Sequence, residues 1–351
     1  MFNPVGGPLY SQNIQIVEDI SVDLYGVIAI DSTDLGPAAG GCRLWAYTDQ
    51  ASMVNDAVQL ARGMSLKNAM AGLPLGGGKA VLKLPGRPFD RRKYFEAFGR
   101  AVAKLKGSYI TAEDVGTCVE DMESVSRATK YVAGLSPVHG KAGGNPSPWT
   151  ALGVFEAMKV AAQVRFGRGL NGATVAVQGV GNVGFNLCQL LRAEGAKLVI
   201  SDINTAATSR LRTELGARSV PATEILSVKA DIIAPCALGG AINHRSIPNL
   251  KAGLVCGGAN NQLACDRDGD ILFRRGIMYV PDFVANAGGI INVSAEYLGD
   301  DADAVQSRVL QIGERVAEIL ALSSAQKRST NMVAVEMAKQ IMANGRQRSN
   351  R

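Results

Sequence analysis

Apolar residues recur along this chain in two rhythms, and the alternation between them outlines its elements. Residues 22–30 (Val-Asp-Leu-Tyr-Gly-Val-Ile-Ala-Ile) read as a strand, with a partner around 13–17. Met53, Ala57, Leu60, Ala61 and Met64 fall at helical spacing and predict a helix over 51–66. A second helix covers 90–106, opened by Asp90 as its cap, and a third runs over about 119–130. Between them Ser108-Tyr109-Ile110-Thr111 is a short strand leading into an acidic turn at Glu113-Asp114. Beyond residue 148 a helix over 149–165 precedes a strand at 173–178, a helix at 182–194 and a strand at 197–201; strand-like runs return at 231–234, 253–256 and 277–280. Strands alternating with helices predict a parallel, doubly wound sheet. The stretch 302–345 is helical, with Val305, Val309, Ile312, Val316 and Ile319 at helical spacing.

The segment 134–148 breaks this pattern. It is rich in Gly, Ser and Pro and ends Gly143-Gly144-Asn145-Pro146-Ser147-Pro148, a linker composition that divides the chain. Two domains suit 351 residues. The expected division is an α/β substrate and catalytic domain over 1–140, a Rossmann-type dinucleotide-binding domain over 141–327, and a final helix from about 328 packing back on the first domain, with the active site in the cleft between the two. The 40 glycines follow no collagen-like period and fit an α/β chain with tight turns and close helix–sheet packing.

Charge and cysteine usage narrow the class. The formal charge is +6, but the basic residues are scattered, with short runs only at Arg91-Arg92-Lys93 and in the tail 346–351. That is the pattern of a basic enzyme with a solvated end, not of a nucleic-acid-binding face. Cysteines stand at 42, 118, 188, 236, 256 and 265 without a Cys-x-x-Cys pair, and only His139 and His244 could add imidazole. Neither a metal site nor a disulfide framework is expected, which points to a reducing cytoplasm. The first eight residues lack the charged and apolar regions of a secretory signal. No apolar run approaches the ~18–20 residues that span a bilayer, so no membrane partner is expected.

The most specific motif is Gly179-Val180-Gly181-Asn182-Val183-Gly184, which follows a strand and opens a helix. The first glycine makes the tight turn, the second lets backbone approach a pyrophosphate, and the third lets helix and strand pack closely. The helix N-terminus then offers unpaired N–H groups to the phosphates. Asp202 ends the next strand, where a carboxylate accepts both ribose hydroxyls of NAD and repels the extra phosphate of NADP. The alternative, a turn of small residues with a capping aspartate, requires strand, glycines, helix, strand and acid to coincide by accident. Because this fingerprint sits mid-chain, the reactive groups belong in the domain before it.

That first domain carries two candidate stretches, 64–79 and 109–117. Lys79 follows three glycines, and Lys67 stands twelve residues earlier, as the numbering shows. Two ammonium groups placed together depress each other's pKa, and partial burial depresses it further, so such a lysine can act as a base near neutral pH. Asp114, on an acidic turn after a strand, is a candidate acid–base partner. A glycine-rich turn carrying a surface lysine explains Gly76-Gly77-Gly78-Lys79 equally well, and the residues alone leave the choice open.

These stretches resemble the glutamate/leucine/phenylalanine/valine dehydrogenase family, most closely its leucine and phenylalanine branch. The resemblance runs through Leu35-Gly36-Pro37-Ala38-Ala39-Gly40-Gly41-Cys42-Arg43, the block 67–79, the Asp114 turn, Pro146-Ser147-Pro148-Trp149-Thr150-Ala151, and the glycine fingerprint. It continues through Ala234-Pro235-Cys236-Ala237-Leu238-Gly239-Gly240, Gly258-Ala259-Asn260-Asn261-Gln262-Leu263 and Pro281-Asp282-Phe283-Val284-Ala285-Asn286-Ala287-Gly288-Gly289, covering nearly the whole chain. It implies NAD-dependent, reversible oxidative deamination of an L-amino acid to the 2-oxo acid and ammonium, in a homo-oligomer of two or more copies. It implies that Lys67 holds the substrate α-carboxylate with help from the Gly40 backbone, that Lys79 activates water, and that Asp114 moves protons on and off nitrogen. Asn261 would bind the amino acid. Thr150 and Asn260 would position the nicotinamide, with Cys236 and Ala237 also in the cofactor site.

The same resemblance addresses the side chain of the substrate. Glutamate-specific relatives carry a lysine directly before the Gly-Gly pair, and here that position is Ala39. A buried glutamate carboxylate would lack a partner, at a cost of several kcal/mol. The implied lining, Ala39, Ala112, Ala133, Ile290 and Val293, is wholly apolar. Three alanines leave room for an aromatic as well as a branched-chain substrate. Two other readings compete: a hydroxyl-oxidising dehydrogenase with a Lys79/Asp114 pair, which needs no ammonium, and a catalytically silent NAD-binding sensor.

Overall fold

Two sheets, each with its own apolar core, organise the chain. The computed structural model describes residues 13–136 and 141–349. The expectations about the first eight residues, His139 and the last two residues of the tail lie outside the described residues. The contacts divide the chain into unit 1, Met1–His139 with Ile341–Arg351, and unit 2, Gly140–Gln340.

Unit 1 runs β1 (Ile14–Asp19), β2 (Leu24–Ser32), β3 (Ala38–Trp45), α1 (Gln50–Met70), β4 (Gly76–Lys83), α2 (Arg91–Lys104), β5 (Tyr109–Glu113) and α3 (Val119–Ser126). Its sheet order is β1-β2-β4-β3-β5. The first two pairings are antiparallel, and β4, β3 and β5 run parallel. Met53, Val54, Ala57 and Ala61 of α1 pack on Val27, Ala29 and Val81 at one face. On the other face Tyr94, Phe95, Phe98, Met122 and Val125 of α2 and α3 cover Leu24, Ile28, Ala38, Cys42, Ala80 and Leu82. Asp90 caps α2 as its sequence suggests, accepting from the Lys93 N–H.

Strands β3 and β4 are absent from the sequence reading. Their glycines carry no apolar alternation, yet those glycines are what allow the layers to meet. A Cβ on Gly77 would lie 2.1 Å from the Ser65 nitrogen of α1, and one on Gly40 1.9 Å from the Gly78 carbonyl oxygen. The block before Lys79 is therefore a buried strand under a helix, and the turn with a surface lysine is ruled out. Helix α3 is also shorter than expected. It ends at Ser126 because the chain turns to run beside β5, where the Thr111 N–H donates to the Tyr131 carbonyl and Ala133 N–H to that of Thr111.

Unit 2 runs α4 (Ser147–Phe166), β6 (Thr174–Gln178), α5 (Asn182–Ala193), β7 (Lys197–Ser201), α6 (Thr205–Leu215), β8 (Arg218–Ser219), β9 (Ile232–Pro235) and β10 (Leu254–Val255). It continues with α7 (Asp266–Arg274), β11 (Met278–Tyr279), α8 (Asp282–Ala285), α9 (Gly288–Leu298), α10 (Ala302–Gln326) and α11 (Thr330–Ser349). The six strands are parallel in the order β11-β10-β9-β6-β7-β8. From β6 the chain winds outward through β7 and β8, then returns to β9 on the other side of β6. That reversal is the doubly wound topology, and it leaves a crevice at the C-terminal ends of β6 and β9.

The helical stretch 302–345 is two helices. Lys327 takes a left-handed conformation (φ 55°), and Ser323 Oγ donates to the Arg328 carbonyl across the break. The tail is not a loose end: α11 continues to Ser349, and Arg346 grips Asp34 of unit 1 with two bonds of 2.8 and 2.9 Å.

Among the described residues no helix is long and apolar enough to cross a membrane, and no group of three His, Cys, Asp or Glu could hold a metal ion. All six cysteines are unpaired.

Candidate active site

Strand alternation gathers the candidate groups of unit 1 on one face of its sheet. Val81 packs under α1 and Gly77 touches it, so Lys79 between them projects to the same face. The register places Ala39 beside Gly77 and Arg43 beside Val81, and Ala112 beside Gly41. Ala133 follows Val132, which bridges Thr111, and so alternates to the Ala112 side. Ala39, Ala112 and Ala133 are all buried.

Lys79 itself is 5% exposed. Its Nζ lies 2.9 Å from Asp114 Oδ2. The contact joins Lys79 to Asp114, the acid–base partner the sequence offered. Arg43 Nε donates to the same Oδ2 at 3.0 Å, while Arg43 Nη1 reaches Asp56 Oδ2 of α1 at 3.0 Å. Tyr47 donates a short hydrogen bond to Asp56. Burial pushes the Asp114 carboxyl up, but Lys79 and then Arg43 pull it down further, to about 2. Asp114 is thus held ionised.

A stability prediction follows from that shift. The folded-state value lies below the ordinary 3.8, so the contribution of Asp114 is fully present above about pH 4 and is lost as pH falls toward 2. In urea unfolding series, the stability gap between wild type and Asp114→Asn should be constant above pH 5 and narrow below pH 4. A gap that stays constant down to pH 2.5 would show that the carboxylate is not held this way.

The supporting residues were not legible as such. A Cβ on Gly41 would lie 2.8 Å from Asp114 Cβ, so glycine makes room for the acid. Thr117 Oγ1 accepts from the Asp114 N–H and donates toward the Cys42 carbonyl, fixing the turn. Asn68 donates to the Gly76 carbonyl at 2.6 Å, and Tyr109 to that of Gly40 at 2.6 Å. Lys67 lies half-buried in the last turn of α1, directly before that anchor. Asn68 was in plain view beside Lys67. Arg43 had a usable signal in its period-two spacing from Gly41 and Ala39.

In unit 2 the glycine fingerprint forms the turn between β6 and α5. Gly179 has φ +90°, which favours glycine, and its built Cβ would strike Ala237. A Cβ on Gly184 would lie 2.0 Å from the Gly179 carbonyl oxygen, whereas at Gly181 nothing lies within 4 Å. Gly181 is the N-cap of α5 without any side-chain cap bond, so the first N–H groups, from Asn182, Val183 and Gly184, are left for an anion. Asp202 directly follows β7 and accepts from the Val180 N–H at 2.7 Å and the Asn204 N–H at 2.8 Å. Its carboxylate is thereby fixed at the rim of a cavity of about 720 Å³ that Arg212 and Arg218 also line. An open glycine and an uncapped helix start at the strand reversal, with an anchored acid after the neighbouring strand β7, could hold a dinucleotide.

Cys236 and Ala237 stand where β9 ends, beside Gly179. Cys236 Sγ accepts from the Gly258 N–H, and burial pushes the thiol up to about 11. Asn260 and Asn261 are exposed on the next loop, Asn261 with φ 51°. That loop is braced by Gln262, which donates to the Gly257 carbonyl, and by Asn286, which donates to Asn260 Oδ1 at 3.0 Å. Thr150 sits in the first turn of α4, where Gly289 lets α9 approach: a Cβ there would lie 2.6 Å from Thr150 Oγ1. Ile290 and Val293 are half-buried and three apart on α9, sharing a face.

Comparison with known proteins accounts for both units. Residues 12–131 match the model of the Glu/Leu/Phe/Val dehydrogenase dimerisation domain, and residues 146–210 and 201–344 match that of Glutamate/Leucine/Phenylalanine/Valine dehydrogenase. A leucine dehydrogenase of Geobacillus stearothermophilus is 46% identical over 94% of this chain and 90% of that protein. The crystal structure of L-tryptophan dehydrogenase from Nostoc punctiforme aligns with a TM-score of 0.83 at 37% identity, covering 96% of this chain and 97% of that one. A hetero-hexameric glutamate dehydrogenase from Thermus thermophilus shares the fold at a TM-score of 0.77 and 20% identity, over 92% of this chain and 84% of its own.

Proposed function

This chain belongs to the glutamate/leucine/phenylalanine/valine dehydrogenase family, and from that premise we propose that it is an amino acid dehydrogenase catalysing NAD-dependent, reversible oxidative deamination of an apolar L-amino acid. The observation that carries the reading is the buried Lys79–Asp114 pair on the same sheet face as three buried alanines. NAD, when bound at the glycine turn, supplies the hydride acceptor. Lys67 holds the substrate α-carboxylate beside the Gly40 backbone. Asp114 exchanges protons with the substrate nitrogen, and Lys79 takes a proton from the water that attacks the imine carbon. With its carboxyl near 2, Asp114 is a weak acceptor while both cations hold it; it becomes a stronger one as Lys79 loses its proton. Asn261 binds the amino acid, while Thr150, Asn260, Cys236 and Ala237 line the cofactor site. Asp202 favours NAD because an anchored carboxylate repels a 2′-phosphate. A homo-oligomer belongs to the same reading, supported by the description of the N-terminal family domain as a dimerisation domain.

The test is initial rates of NAD and NADP reduction across Leu, Val, Ile, Phe, Trp and Glu, with the reverse reaction run with and without ammonium. Turnover of apolar substrates with NAD, absence of turnover with Glu, and strict ammonium dependence are expected. Ammonium-independent reduction would favour a hydroxyl-oxidising enzyme instead.

Specificity should respond to Ala39. The names of the relatives span leucine and tryptophan, so the preferred side chain is decided by pocket volume. Ala39→Leu adds about three carbons, and overfilling a packed site costs ~1–3 kcal/mol, roughly ten- to a hundredfold in rate against the larger substrate. The ratio of kcat/KM for Phe or Trp over Val should fall by that factor. An unchanged ratio would remove Ala39 from the pocket.

A further inference from the structure

We propose that Arg43 is a positioning residue for the acid–base pair, holding Asp114 in place while Lys79 changes its protonation state. The inference rests on the dehydrogenase reading of the same site. Lys79 and Arg43 approach the same oxygen, Oδ2 of Asp114, at 2.9 and 3.0 Å. A carboxylate gripped at one oxygen by two cations from adjacent strands has its other oxygen directed by that grip, and among the described residues no hydrogen bond reaches Oδ1. Oδ1 is the oxygen available to a substrate nitrogen. When Lys79 gives a proton away, its ion pair weakens, and Arg43 is then the cation that keeps the carboxylate oriented. Arginine suits this role because it stays charged throughout the working pH range.

Arg43 is itself held. Burial works against its charge, and Asp114 followed by Asp56 more than offsets it. Asp56 binds Arg43 Nη1 at 3.0 Å and receives the Tyr47 hydroxyl. Two cations, Lys79 and Arg43, thus face two anions, Asp114 and Asp56, and the cluster is neutral until Lys79 loses its proton. The other titratable groups around it include Cys42 on β3, Tyr109 on β5 and the Arg91–Asp121 pair of α2 and α3. Nothing in the arrangement requires Arg43 to touch the substrate.

The experiment uses the full chain with Arg43→Met, Arg43→Lys and Asp56→Asn. For Arg43→Met, kcat with a 2-oxo acid, ammonium and NADH should fall about ten- to a hundredfold, with KM changing less than about threefold. The acid limb of the kcat profile should move to higher pH, because removing a cation raises the pKa of the carboxylate. Arg43→Lys should restore part of the rate, and Asp56→Asn, which removes an anion and leaves the guanidinium on Asp114, should leave the acid limb in place or move it slightly to lower pH. If Arg43→Met does not fold, the rate and profile of Arg43→Lys decide, with Asp56→Asn as the variant that keeps the cation. Wild-type kcat and an unmoved acid limb in the folded Arg43 variants would overturn the proposal. A second readout does not depend on turnover: the Asp114 carboxyl carbon, assigned in NMR spectra by its loss in Asp114→Asn, should titrate higher in Arg43→Met than in wild type and no higher in Asp56→Asn. A wild type inactive on every amino acid would defeat the functional reading, while the NMR shift would still decide whether Arg43 holds Asp114.

Discussion

Lys79→Ala should reduce kcat for deamination by roughly two to four orders of magnitude while leaving NAD affinity within about twofold of wild type. The size follows from the role. A positioned acid–base group contributes on the order of 10²–10⁴, and the lysine proposed to activate water has no substitute of its type bonded to Asp114, since Arg43 cannot give up its proton at working pH. The selectivity follows from the division of the chain: Lys79 belongs to unit 1, whereas the glycine turn and Asp202 belong to unit 2. Stability should fall as well, because truncating one partner of a buried ion pair costs ~3–5 kcal/mol. Arg43 remains on Asp114 and should keep the loss at or below the low end of that range. The check pairs steady-state kinetics with an NADH-binding titration on the same preparation. A variant that binds NADH and keeps more than a tenth of the wild-type rate would remove Lys79 from the chemistry.

The contrast between the two units explains what the sequence could and could not disclose. In unit 2 the signal for the proposed cofactor site is local: Gly179, Gly181 and Gly184 lie within one turn, and Asp202 directly follows the next strand in the chain. Helices and strands there alternate with clean periods, and the strands at 174–178 and 197–201 coincide with those read from the pattern. In unit 1 the decisive contact joins Lys79 and Asp114, which are brought together only because β3 lies between β4 and β5. No period in the sequence reports that order. Strands β3 and β4 escaped detection for a related reason. Gly40, Gly41 and Gly76 to Gly78 contribute no side chain to an alternating pattern, and glycine is depleted from strands on average. Their presence reflects what must pass close by: a helix at Gly77, a carbonyl at Gly40 and an aspartate at Gly41. Arg43 shows the same limit. Its charge reads as surface until the register sets it beside Val81, facing Asp114 and α1.

Gly77→Ala should be among the most damaging single-methyl changes in unit 1, and Gly63→Ala, only fourteen positions earlier by number, should be harmless. A Cβ at Gly77 would lie 2.1 Å from the Ser65 nitrogen, 2.2 Å from its Oγ and 2.5 Å from its Cα. These are mostly atoms of the α1 backbone, so no side chain can rotate away, and the helix must lift by on the order of 1 Å to reach van der Waals contact. Lifting it strains the Ser65–Asp31 hydrogen bond of 2.5 Å and the Asn68 anchor on the Gly76 carbonyl. Overpacking of this kind costs ~1–3 kcal/mol or somewhat more. At about 2–4 °C per kcal/mol for a domain of this size, Tm should drop by roughly 2–12 °C. Lys67 rides two residues beyond Ser65, so displacement of the helix end should also raise KM for the amino acid several-fold more than it lowers kcat. At Gly63, within the same helix, nothing lies within 4 Å of a built Cβ and the backbone is ordinary helix. Alanine there should leave kinetics unchanged and add ~0.5–1 kcal/mol of stability by reducing the entropy lost on folding. The two variants differ by the same single methyl, and thermal melts with substrate kinetics on both separate a close-packing requirement from a general intolerance of α1 to substitution. Equal effects at the two positions would mean that the approach of α1 to β4 does not set the position of Lys67.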